Sequence, residues 1–258
     1  MEFGICHLSV VPMRAEASDK AEIVNQILFG ETIKILQKED NWTKVQLDWD
    51  EYEGWIDTKQ FTSIDSKNHK KYLEANTAYC FELCSTAIGN NHYLPLTLGA
   101  MLPNFDGLHF KFLKEKFLFN GKNIQPKEIQ VNEKIIEKCA MKYLNAPYLW
   151  GGKSPFGIDC SGFTQMVFKM LGKKILRDAY QQAQMGESVD FILTTKTGDL
   201  AFFGNADNKI THVGIILGKN QIIHAHGKVR IDNIDGYGIY DAERKKYSHQ
   251  LKLIKRIL

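Results

Sequence analysis

The sequence predicts an α+β protein, a β-rich N-terminal half followed by a domain that mixes helices with strands, and three observations carry that expectation. Residues 5 to about 61 read as short strands separated by turns: VVPMR, AEIVNQILFGETIKIL, NWTKVQL and YEGWI, with apolar alternation, Gly30 and Asp/Asn clusters between them. Further on, LPLTLGAMLPNFDG, HFKFLKE and KFLFNGK repeat FGETIKIL, NWTKVQL and YEGW in the same order, as a degenerate copy. After Pro126 the period becomes helical, and in KEIQVNEKIIEKCAMKYLN the residues Ile129, Ile135, Ile136, Cys139 and Leu144 fall on one stripe.

The bulk properties bound the possibilities. At 258 residues, 44% hydrophobic and 24% charged, the chain has material for two or three hydrophobic cores. The net charge of +3 arises from Lys and Arg spread among nearly as many Asp and Glu, so no basic stripe for nucleic acid emerges. The first thirty residues have no basic region followed by a long apolar run, and no segment approaches membrane-spanning length, so a cytoplasmic protein without a membrane partner is expected. A monomer is the favoured state.

Taken in order, the strand-rich segment 1–62 is similar to a bacterial SH3-like barrel, on the strength of FGETIKILQKEDNWTKVQL followed by EGWI. Residues 63–124 are expected to hold a linker, with SKNHKKYLEANTAYCFEL partly helical, and then the degenerate second SH3-like barrel. Residues 125–258 form the third region.

Five cysteines, Cys6, Cys80, Cys84, Cys139 and Cys160, are too irregularly spaced for a disulfide framework or a paired zinc site. Cys139 lies on the apolar stripe and reads as core, as do Cys6 and the Cys80/Cys84 pair, although a CxxxC pair has the composition for a metal. Cys160 differs. It follows the turn-rich YLWGGKSPFGID, with glycines at 151, 152 and 157, and precedes SGFTQMVFKMLGK, whose Phe163, Val167, Phe168 and Leu171 form a helical face. A thiol at a helix N-terminus faces unpaired amides and the positive end of the macrodipole, which favour a thiolate and a lowered pKa. The flanking glycines permit close approach by a substrate backbone, so Cys160 is the candidate nucleophile.

A cysteine nucleophile needs a base, usually a histidine distant in sequence. In GDLAFFGNADNKITHVGIILGKNQIIHAHG, His212 opens one strand-like run and His224 closes the next, twelve residues later, so a hairpin puts both on one face. His212 reads as the base and His224 as the group that orients it, with His226, of the same parity, as the alternative. HAH also suggests metal ligation, but zinc would need additional ligands, so neither a metal nor another cofactor is expected. His7, His69, His92, His109 and His249 have no comparable setting and read as surface or packing residues.

The motifs YLWGGKSPFGIDCSGF, RDAYQQ, GDLAFF, HVGIIL and IIHAHG, in that order over residues 130–258, resemble the NlpC/P60 family of cell-wall peptide hydrolases. The resemblance implies a papain-like core with Cys160 as nucleophile, His212 as base and His224 in the third position. With the SH3-like region in front, the chain looks like the family's γ-D-glutamyl-L-diamino acid endopeptidases. That likeness implies cleavage between D-Glu and Lys or meso-diaminopimelate in peptidoglycan peptides with a free N-terminal L-Ala. It also implies substrate contacts at Glu16 and Tyr52, by position in MRAE and EYEGWI, with Glu22 and Glu53 as neighbours, and at Tyr148, Trp150, Asp159, Ser161 and Asp178. Read from the residues alone, Tyr148 and Trp150 equally suit packing, and Asp159 a helix N-cap. An amidase or acyltransferase using the same pair, or a non-catalytic wall-peptide binding module, are the rival readings.

Overall fold

The computed structural model describes residues 2–205, 207 and 209–258. The chain divides into two units: Met1–Ile129 together with Trp150–Pro155, and Gln130–Leu149 together with Phe156–Leu258.

In the first unit, seven antiparallel strands lie in the order Ile23–Leu28, Val10–Arg14, Glu53–Asp57, Trp42–Leu47, Thr32–Glu39, Glu2–Cys6, Phe61–Ile64. Alternation decides which face turns inward: in WTKVQL, Thr43, Val45 and Leu47 are buried while their neighbours are not. Val45 and Leu47 meet Val11, Met13, Ile27, Ile33 and Ile56 in one core. Gly30 makes the turn between two of these strands at φ +82°, and a Cβ there would stand 2.7 Å from that of Met101.

The helix Ser66–Glu74 follows, started by Asp65, whose carboxylate accepts the Asn68 amide at 2.7 Å. His69 on this helix is a packing residue. That ring is buried, stacks on Phe3 at 3.9 Å between centroids, and bonds Asp48 through Nε2 at 2.7 Å. Beyond it come a four-stranded sheet, Tyr93–Thr97, Cys84–Ile88, Glu115–Leu118, His109–Phe112, and a three-stranded one, Met101–Pro103, Thr77–Cys80, Asn123–Ile124. Phe110, Phe117 and Phe119 fill their core, which Ile5 and Phe29 of the earlier sheet join. Cys80 is buried and Cys84 exposed.

The segment Trp150–Pro155 belongs to this unit through polar contacts as well as packing. Lys153 is fully buried with Nζ 3.4 Å from both carboxylate oxygens of Glu31, which also accepts the Leu28 amide at 2.7 Å. The Lys153 amide donates to Gln26 Oε1 at 2.7 Å. Gly151 has φ +75°, and a Cβ there would fall 2.3 Å from the Ile23 carbonyl oxygen, so glycine is required by both backbone and space.

The second unit is built on a seven-stranded antiparallel sheet in the order Glu187–Ser188, Lys246–Arg256, Leu200–Gly204, Ile210–Gly218, Gln221–His226, Lys228–Ile234, Gly238–Asp241. The last strand also pairs with Lys246–Arg256, which closes six of the seven into a ring. The helix Cys160–Met170 is buried along its whole length and packs on strands Ile210–Gly218 and Gln221–His226. The helix Glu133–Met141, capped by Asn132, lies against it and buries Ile136 and Cys139 of the predicted stripe together with Ala140, while Ile135 is half-buried and Ile129 and Leu144 fall outside the helix.

Losing one partner of a buried ion pair costs about 3–5 kcal/mol, whereas replacing both with apolar groups is often neutral. Lys153→Met is therefore expected to lower the unfolding free energy by about that amount, and Lys153→Met with Glu31→Leu to recover most of it. Urea denaturation of the three proteins decides the point. Equal midpoints for the single variant and the parent would remove the pair from the stability of this unit.

Candidate active site

The glycine-rich loop ends where Asp159 caps the helix, its Oδ1 accepting the Gly162 amide at 2.6 Å. Arg177 grips the same carboxylate with two bonds, Nη1 to Oδ1 at 3.0 Å and Nη2 to Oδ2 at 2.6 Å, and gives a third to Ser161 Oγ at 2.9 Å. Gln182 completes the lock. Its amide nitrogen donates to the carbonyls of Ser161 at 3.0 Å and Leu176 at 2.8 Å, while its oxygen accepts from Thr164 at 2.7 Å. Arg177 and Gln182 both come from the RDAYQQ region, where the sequence drew attention to Asp178 instead. Asp178 N-caps the turn Ala179–Gln182, and its amide donates to Gln181 Oε1 at 3.0 Å.

Cys160, the first residue of the helix, is 8% exposed. Burial pushes its thiol up to about 12, with the Asp159 carboxylate adding to the effect; amide hydrogen bonds from Val213 and Ser161 and the charge of Arg177 act in the opposite sense without prevailing. This corrects the expectation of a lowered thiol pKa. The helix N-terminus favours a thiolate, but desolvation in an enclosed site outweighs it.

Register places the histidines. Gly214 faces His224, and His212, two residues from Gly214, shares that face of the sheet. A Cβ on Gly214 would stand 2.9 Å from that of His224, so the glycine leaves room for that imidazole. His212 Nε2 lies 2.8 Å from His224 Nδ1, and His224 Nε2 lies 2.9 Å from Asp232 Oδ2. A carboxylate can only accept, so His224 carries its proton on Nε2 and offers the Nδ1 lone pair; His212 then donates from Nε2 and keeps a lone pair on Nδ1. Arg230 holds Asp232 through Nε at 2.7 Å and Nη2 at 2.8 Å. Although burial opposes it, the bonds from His224 and Arg230 keep the Asp232 carboxyl below its ordinary range. Burial holds His212 well below the usual histidine range, with His224 and His249 adding to the effect, and burial lowers His224 too, partly offset by Asp232.

Two of these groups escaped the sequence reading. Asp232 reaches the face only through the third strand, where His224 faces Arg230 and Ile222 faces Asp232. His249 was taken for a packing residue, and the structure corrects this. Its ring stacks on His212 at 4.2 Å, because Phe203 pairs with both His212 and Leu251 and so sets the parity of His249 to that of His212. The RID triplet after HAHGKV, with its polar residues at alternate positions, was the available signal for Asp232; nothing local marks His249. His226 stacks parallel to His224 at 6.2 Å and stands 6.5 Å from His212.

Tyr148 is about a third exposed, and its amide donates to the Gly227 carbonyl at 3.0 Å. Burial, with Cys160 and Asp159 nearby, pushes its phenol up, so it stays a hydrogen-bond donor. In the other unit, Trp150 is exposed and its indole donates to Glu22 at 2.5 Å, not to Glu16. Glu16 is exposed in the turn that the Ala15 amide closes onto the Glu22 carbonyl at 2.9 Å, and Tyr52 packs its half-buried ring on the barrel core.

Residues 145–246 match the NlpC/P60 family, and residues 13–61 match the bacterial dipeptidyl-peptidase Sh3 domain. The chain is 30% identical over 217 residues to the γ-D-glutamyl-L-lysine dipeptidyl-peptidase of Bacillus subtilis (strain 168), a match that covers 79% of this chain and 72% of that protein. It is 26% identical over 244 residues to dipeptidyl-peptidase 6 of Lysinibacillus sphaericus, covering 86% and 88%. The crystal structure of an NlpC/P60 family protein from Bacillus cereus ATCC 10987 has the same fold, with a TM-score of 0.83, 21% identity and 99% of both chains covered.

The histidine cluster has a consequence for stability. His212, His224 and His249 all have folded-state pKa values below the ordinary 6.5, that of His249 brought down to about 4 mainly by burial. The unfolded chain binds these protons more readily, so the contribution is full above about pH 6.5 and is lost as the pH falls below it. Urea unfolding is expected to give a lower free energy at about pH 5 than at about pH 7.5, with a shallower decline in His249→Phe. Identical slopes in the two proteins would contradict the assignment of His249 to this cluster.

Proposed function

The chain belongs to the NlpC/P60 family and is a cysteine peptidase of that family, and from this premise we propose that it cuts peptidoglycan stem peptides between γ-D-Glu and an L-diamino acid. The substrate is read as a peptide with a free N-terminal L-Ala and with Lys or meso-diaminopimelate after the scissile bond, and the reaction as a step in cytoplasmic murein peptide recycling. The carrying observation is the chain Asp232–His224–His212, which leaves one lone pair on His212 next to Val213, whose amide bonds the Cys160 thiol.

With the thiol raised and the imidazole lowered, the resting pair is neutral. As Cys160 Sγ attacks the γ-glutamyl carbonyl, its proton passes to His212 Nδ1, so a full ion pair exists only once the substrate is reacting. The imidazolium is stabilised through His224 by Asp232, which remains ionised. It then gives the proton to the departing amine, and water hydrolyses the thioester by the reverse transfer. The oxyanion is read as facing the Cys160 amide and the Tyr148 phenol. Asp159 and Ser161, both bound by Arg177, are read as fixing the start of the helix that carries Cys160. The free amine is read as bound by Glu16 and Tyr52, with Glu22, which accepts the Trp150 indole N–H, as the next candidate.

Incubation with L-Ala-γ-D-Glu-L-Lys is expected to release L-Ala-γ-D-Glu, detected by mass spectrometry. Cys160→Ala and His212→Ala are expected to lose about 10⁴-fold or more in kcat, His224→Ala nearly as much, and His226→Ala less. Asp232→Asn, which can turn an N–H toward His224 and reverse both tautomers, is expected to cost on the order of a hundredfold in kcat. An active Cys160→Ala would end the cysteine mechanism, and a silent wild type on every stem peptide would favour a wall-peptide binder.

N-acetylation of the substrate is expected to lower kcat/KM about tenfold to a hundredfold, the worth of a charge-assisted hydrogen bond. Glu22→Gln or Glu16→Gln should narrow that gap, and the variant that does so names the residue. Equal rates for free and acetylated peptide in the parent would eliminate amine recognition.

A further inference from the structure

We propose that His212, His224 and His249 form a site for a zinc-class divalent cation, and that its occupation switches the peptidase off. The candidate ligand atoms of the three rings, one from each, all lie within 4.8 Å of one another, and the group contains no cysteine. Tetrahedral zinc with nitrogen ligands at 2.0–2.1 Å sets them about 3.3 Å apart, so closing the site asks any pair to approach by about 1.5 Å at most. The sequence alone lacked a further ligand; the closing strand Lys246–Arg256 supplies it.

The groups behind the rings suit a metal as well as the rings do. Imidazoles that hold a metal through one nitrogen commonly give the other N–H to a carboxylate or other oxygen, which fixes the tautomer. His224 gives Nε2–H to Asp232 and so presents Nδ1 as a lone pair. Ser248 Oγ lies 3.3 Å from the Ile239 carbonyl and 2.8 Å from His249 Nδ1; with its one proton on the carbonyl it accepts from His249 Nδ1, the tautomer that leaves Nε2 with a lone pair. Two of the three rings are therefore set with a lone pair available. The donor set is three neutral imidazoles without a thiolate, which suits zinc, copper, nickel or cobalt and excludes calcium and magnesium.

The third ligand links the site to catalysis. His212 Nε2 donates to His224 Nδ1. A cation bound to His224 Nδ1 takes that lone pair, and His212 joins it through Nε2 by losing the Nε2 proton and carrying one on Nδ1. The N–H then lies on the nitrogen that would accept the Cys160 proton, so the base is lost without any bond to sulfur. The inhibition rests on the reading of His212 as the base; the binding does not.

Cobalt is the probe, since its tetrahedral complexes absorb in the visible. Chelator-treated full chain titrated with Co²⁺ is expected to bind one equivalent with a visible band and no sulfur-to-cobalt charge-transfer band, and Zn²⁺ to displace it. Cys160→Ala is expected to bind alike. His249→Phe, which keeps a ring against His212 and removes the ligand, is expected to bind at least about tenfold more weakly and to keep its peptidase activity at zinc concentrations that silence the parent. Circular dichroism confirms that each variant is folded. No visible band in the parent, a band that disappears in Cys160→Ala, or equal affinity in His249→Phe would overturn the site. Binding with undiminished activity would leave the site standing and overturn His212 as the base.

Discussion

The hydrogen bond from His224 Nε2 to Asp232 is the constraint on which the chemistry of the second unit depends. It ties a neutral ring to an ionised carboxylate, and because neutral imidazole has one donor and one acceptor, it determines the tautomer of both histidines at once. Arg230 keeps Asp232 charged in a place where burial alone would favour the protonated acid. Without that charge the direction of the whole chain, from carboxylate to the His212 lone pair, would be undetermined.

The Cys160 thiol and the His212 imidazole are both biased toward their neutral forms by burial. A helix N-terminus and two amide donors are present at Cys160, yet they stabilise a thiolate less than enclosure destabilises it. Low local polarity also strengthens any electrostatic interaction among the groups it encloses.

Much of the rest of the second unit serves to hold these groups still. Asp159 is occupied by the Gly162 amide and by Arg177, and Gln182 satisfies Ser161 and Thr164 in the first turns of the helix, so the residue between Asp159 and Ser161 has little freedom to move. In the first unit, a fully buried lysine plays a comparable part for the segment Trp150–Pro155, where Glu31 and Gln26 satisfy its two nitrogens. Both arrangements place charge in the interior, and both do so with the remaining hydrogen-bonding capacity substantially engaged.

The strand-rich front, the helical stripe around Cys139, the thiol at a helix start and the pairing of His212 with His224 were legible from the sequence, because each depends on local periodicity, turn chemistry or a single hairpin. The same reasoning could not find Asp232 or His249. Their places depend on the register of a third strand and on the closure of the ring by Lys246–Arg256, with a bulge between Phe202 and Phe203 that shifts the parity. Nor could it find the sign of the thiol's pKa shift. Helix position is written in the sequence, but desolvation depends on everything packed around the sulfur, and only the tertiary structure assembles that.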